Sequence, residues 1–154
     1  MLNVFNHMVF VFLAAIMVLS RVAFAAPASG KINNKDFTFV SGIAKKNGGN
    51  YQITLWTEGY LDPCKRFGGS TLDVRMIFPA QVGKYKIDAG SWDQNVILMG
   101  DGTNPGSPEN NIVANVGGLE ITAISDTEVK GTMSASLDWM KSKVAGDFSV
   151  QLCP

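Results

Sequence analysis

The chain has 154 residues, with 13 basic and 13 acidic side chains and a single histidine, His7. That length suits one domain with a real core, and the even charge leaves no basic excess for nucleic acid or an anionic membrane surface. His7 lies in a segment expected to be removed. The remainder therefore has no imidazole for a Ser-His-Asp or Cys-His mechanism or for a His-ligated zinc site.

Residues Met8 to Leu19 form an unbroken apolar run. It has the length of a signal-peptide core and is short for a membrane span. Ala23-Phe24-Ala25 supplies small residues where a signal peptidase reads, so residues 1–25 are expected to be a signal peptide cleaved before Ala26. The stretch before the run holds no Lys or Arg, which leaves an uncleaved anchor as the alternative. Residues 26–154 are then a single all-β domain, with Ala26 to Gly30 a disordered leader.

Phe37, Phe39, Ser41 and Ile43 alternate with Thr38, Val40, Gly42 and Ala44, which predicts a first strand. Lys46-Asn47-Gly48-Gly49 predicts a hairpin turn into a strand with Tyr51, Ile53 and Leu55 on one side and Gln52, Thr54 and Trp56 on the other. Glu58 to Gly69 reads as irregular. Ser70 to Phe78 and Lys84 to Asp88 read as strands, and Gln94 to Met99 as one covered on both faces. The turn-rich Asp101–Asn111 run follows, then a strand over Ile112–Val116, a tight turn at Gly117-Gly118 and a strand through Leu119, Ile121 and Ala123.

The last stretch is the most regular. Val129, Gly131, Met133, Ala135 and Leu137 alternate with polar residues, as do Val144, Gly146, Phe148, Val150 and Leu152, which predicts a long closing hairpin. Taken together, the pattern predicts an antiparallel β-sandwich or up-and-down barrel of about 8–9 strands. Cys64 and Cys153 are expected to form one disulfide in an oxidising compartment, periplasmic or extracellular. No metal and no cofactor is expected.

Residues 127–135 (Thr-Glu-Val-Lys-Gly-Thr-Met-Ser-Ala) and 144–153 (Val-Ala-Gly-Asp-Phe-Ser-Val-Gln-Leu-Cys), with the Tyr60-Leu61-Asp62-Pro63-Cys64 loop, resemble small exported bacterial β-rich proteins of unknown function. The resemblance implies a closing hairpin and export, and it carries no activity. Many of those proteins are lipoproteins, and no Cys follows the apolar run here.

The chemistry legible in the chain is sparse. Glu58, Asp62, Asp73, Glu120 and Glu128 could serve carboxylate-only catalysis if two of them converged, and Asp73 with Arg75 reads more simply as a solvent-facing pair. The Asp101–Asn111 loop offers oxygens for a hard cation, but its spacing fits a plain loop better. The aromatic residues Trp56, Tyr60, Trp92 and Trp139, with Met140 beside the last, are the candidate binding residues. The expected function is an exported, non-enzymatic β-domain that binds a protein or glycan partner through its loops and the aromatic hairpin tip. A lipocalin-like carrier of a small apolar ligand and a carboxylate-dependent glycan hydrolase are the alternatives.

Overall fold

The computed structural model describes residues 26–65, 72–91, 94–100 and 111–154. The proposed signal segment, Trp92 and most of the Asp101–Asn111 loop lie outside the described residues. The described residues form strands and two short 3-10 turns: β1 (Ser29–Ile32), β2 (Lys35–Thr38), β3 (Ser41–Asn47), β4 (Asn50–Trp56), a turn at Pro63–Lys65, β5 (Asp73–Pro79), β6 (Gly83–Lys86), β7 (Val96–Gly100), β8 (Asn111–Val113), β9 (Val116–Ile124), β10 (Glu128–Leu137), a turn at Asp138–Met140 and β11 (Ser142–Cys153).

All eleven strands join one curled sheet in the order β6-β9-β10-β11-β3-β4-β5-β7-β8, with the β1–β2 hairpin added along β11. The all-β expectation is met, with more strands than expected and, among the named strands, one departure from antiparallel pairing, besides an isolated parallel bridge between Pro27 and Asp147. β11 pairs antiparallel with β1 along its first half, and parallel with β3 at Gln151–Cys153 along its second.

The ends of the sheet meet through Asn111–Ile124. Its first part pairs with β7 and its second with β10, and the handover is made by Ala114 N–H to the Ile97 carbonyl (3.0 Å) and Asn115 N–H to the Ser136 carbonyl (3.1 Å). Along the inward row, Leu137 hands over to Ala114, then Ile97, Met76, Ile53 and Ala44 follow in register. The row leaves β11 opposite Ser142 and returns to it at Leu152. A stagger of this kind marks tilted strands curling into a barrel. Every residue named on the row from Leu137 to Ala44 is buried. Ile32, Phe37, Phe78, Met99, Ile121 and Val129 fill the rest of the interior.

Four local expectations are corrected. The uninterrupted strand over residues 37–44 divides at Phe39–Val40, and the inward face changes from Phe37 to Gly42 and Ala44, so that Ile43 turns outward. Asn33 and Asn34, both at positive φ (48° and 63°), close an unforeseen β1–β2 hairpin. Gly117-Gly118 does not reverse the chain and lies inside β9. Gly117 has φ +139°, and a Cβ there would sit 2.0 Å from the Ser134 carbonyl oxygen, so glycine here permits a close backbone approach. The leader is also ordered. Ala28 is fully buried, its N–H donates to the Asp147 carbonyl (2.8 Å), and Asp147 N–H donates to the Ala26 carbonyl (3.0 Å). Gly146 makes room for it, since a Cβ there would lie 2.7 Å from Ala28 Cα.

Candidate functional site

The closing hairpin ends in a locked tip. Lys141, in the left-handed region, donates its N–H to the Asp138 carbonyl (2.9 Å) and closes the 3-10 turn. Ser142 is buried, donates its hydroxyl to the Met140 carbonyl (3.1 Å) and accepts from Asn33 N–H (2.9 Å). The tip is thereby tied to the β1–β2 turn. Met140 packs against the core, whereas Trp139 is 77% exposed. The two neighbours, grouped by sequence, thus separate into an anchor and a presented ring.

Behind the tip, the outer face of β6, β9, β10 and β11 carries an open groove. Two adjoining hollows of about 240 and about 500 Å³ share Val116, Gly117 and Ser134. Register explains the shape. One cross-strand row runs Lys84, Glu120, Thr132, Asp147; the next runs Lys86, Gly118, Ser134, Ala145; the third runs Val116, Ser136, Lys143. After Lys86 the middle row holds only small residues, so the sheet is hollowed between two taller rows. Lys84 meets Glu120 at 3.3 Å, and Lys86 and Lys143 have no salt-bridge partner among the described residues. Val116, which edges the groove, is exposed. Sequence inspection missed this groove because its floor is assembled by register from three separate strands. The one available signal was a run of small outward residues beside isolated lysines.

Trp56 and Tyr60 are brought together elsewhere, edge to face with ring centroids 5.5 Å apart. Trp56 is only 6% exposed although it points away from the barrel interior. Beyond it the chain crosses the outer face of β3, where Ser41 Oγ donates to the Glu58 carbonyl and Tyr60 donates to the Glu58 carboxylate. Cys64 then bonds to Cys153 at the end of β11, with Cα atoms 5.6 Å apart, the expected pairing. The chain from Thr57 to Lys65 is thus a strap held over the sheet. It belongs with the packed body, although Leu61 and Val40 remain exposed at its border.

The five acids have local partners. Asp73 meets Arg75 at 3.4 Å, and both are half-buried, more enclosed than a solvent-facing pair. Asp62 meets Lys65 at 3.0 Å, and that hydrogen bond and charge hold its carboxyl below the ordinary value. The Ser149 hydroxyl and then the Lys130 ammonium, at 2.9 Å, do the same to Glu128. Both shifts favour the ionised form, opposite to the raised value a general acid needs. Among the described residues no three His, Cys, Asp or Glu side chains gather as a metal site, and no helix is long and apolar enough to cross a membrane.

Comparison with protein families, with curated proteins and with solved structures finds no match.

Proposed function

We propose that the chain is exported and acts as a non-enzymatic binding domain, holding a glycan or protein partner on the tip of its closing hairpin and the groove behind it. Export is supported by the apolar run and small-residue cleavage pattern of residues 1–25 and by the Cys64–Cys153 disulfide. The observation that carries the binding reading is Trp139. A large ring left 77% exposed stands on a turn whose backbone is pinned through Lys141, Ser142 and Asn33, so the backbone that presents it is ordered before any partner arrives and less ordering is needed on binding. Aromatic side chains supply large contact area at protein interfaces and on sugars.

The carrier alternative needs room inside the barrel, and the inward positions hold fully buried Phe37, Phe78, Met76 and Met99. The hydrolase alternative needs two acids that face each other across a bond, and each of the five candidates instead meets a local partner: Glu58 with Tyr60, Asp62 with Lys65, Asp73 with Arg75, Glu120 with Lys84 and Glu128 with Lys130. The test is a glycan array together with affinity capture, run with the wild-type chain and Trp139→Ala. Loss of the captured partner or glycan in the variant is expected, and an unchanged profile removes the tip from the account. Mass analysis of the secreted chain is expected to find Ala26 as its first residue, whereas retention of residues 1–25 contradicts cleavage.

A further inference from the structure

Charge and register together narrow what the groove behind the tip would hold. Three lysines, Lys84, Lys86 and Lys143, line it against one lining carboxylate, Glu120, which Lys84 already meets. Asp147 stands farther along the Glu120 row, and Lys31, beside Lys143, is paired with Asp36 at 2.7 Å. Two positive charges, on Lys86 and Lys143, therefore remain without a counter-ion among the described residues. They stand on β6 and β11, three strand spacings apart and two residues offset along the strand, a backbone span of about 16 Å. An extended ligand with spaced negative groups meets both without drawing the two long side chains together.

We infer that this groove takes an anionic oligosaccharide, of the uronic-acid or sulfated class, lying across the strands with Trp139 beyond one end. The inference rests on the proposed binding role of the hairpin and names the chemistry of its ligand. The floor favours a sugar over a peptide. Extended peptides are recognised by adding a strand to a sheet edge; the floor strands β9 and β10 have neighbours on both sides, and only β6, at the groove's rim, ends the strand order. Their outer face offers the hydroxyls of Thr132, Ser134 and Ser136, which both donate and accept, as sugar hydroxyls do. The lysines add charge complementarity at the ends.

The test is calorimetric titration of the purified chain with an oligogalacturonate, a sulfated oligosaccharide, a neutral gluco-oligosaccharide of equal length and an acidic peptide. Wild type is compared with the Lys86→Glu/Lys143→Glu double variant and with Trp139→Ala; all three positions are exposed, and thermal melts check that each variant folds. The expected result is binding of an acidic oligosaccharide, weakened about tenfold or more by the double variant and by raising salt to about 0.15 M, with no binding of the neutral sugar. Equal binding of the neutral sugar, lost in Trp139→Ala and untouched by the double variant, overturns the acidic ligand and leaves the tip as a binding site. Binding of the acidic peptide alone overturns the sugar, and absence of any binding overturns the inference outright. Failure of the wider reading is read separately, from the array and capture profile of Trp139→Ala.

Discussion

Trp56 and Trp139 are the same residue type put to opposite uses at two corners of one sheet. Trp56 points outward from β4 yet is almost fully covered, because Tyr60 packs against it and the disulfide-tied strap crosses beside it. Trp139 sits on a turn held by its own backbone and Ser142 hydrogen bonds and is left in solvent. A strap makes the outer face of a curled sheet into a second core; a pinned turn makes a platform. Of the two rings, only the one on the pinned turn is left available to a partner.

The sharpest way to break this contrast is to truncate both rings. Trp56→Ala is expected to cost about 3–5 kcal/mol in denaturant unfolding, as for a buried aromatic. A cost below about 1 kcal/mol would mean that the ring is not packed. Replacing Cys64 and Cys153 together with serine releases the strap, with an expected loss of about 2–5 kcal/mol. Indole fluorescence should then report a more exposed Trp56. Gly117→Ala forces a Cβ toward the Ser134 carbonyl at a positive φ, and about 2 kcal/mol of destabilisation by thermal melt is expected, with altered exchange of the groove amides.

A pH series on Glu128→Gln gives a smaller effect. The folded-state value of Glu128 is depressed, so its contribution is present above the unfolded-state value and is lost as pH falls through the folded one. The difference in unfolding midpoint between wild type and variant should therefore shrink as pH is lowered from neutral through and below the ordinary carboxylate range. A constant difference would show that Glu128 acts through packing alone. Trp139→Ala should be the mildest for folding, within about 0.5 kcal/mol of wild type, while having the largest effect on binding.

The closing hairpin was legible because its parity is clean: every second residue from Val129 to Leu137 is buried. The disulfide was legible from a count of two cysteines. Legibility failed where alternation is locally perfect but the chain is bent, as at Phe39–Val40, where no glycine or proline marks the change of face. It failed again at Gly117-Gly118, because a glycine pair is the same in a turn and in a close cross-strand approach. The leader was misread because small residues suit a tail and a tight backbone contact equally well, and only Gly146 on a distant strand decides between them. Trp139 could be singled out as a candidate from its place at the tip. The covered state of Trp56 and the groove depend on which strands lie side by side, and the parallel β11–β3 pair and the bent Asn111–Ile124 segment are not recoverable from any one strand.

The most direct test of the binding face follows the indole and backbone amide signals of the labelled protein during titration with an acidic oligosaccharide. The account predicts that the Trp139 indole moves together with the amides of Gly117, Gly118 and Ser134, while the Trp56 indole stays in place. Shifts confined to Trp56 and Tyr60, with Trp139 and the glycine pair silent, would contradict it.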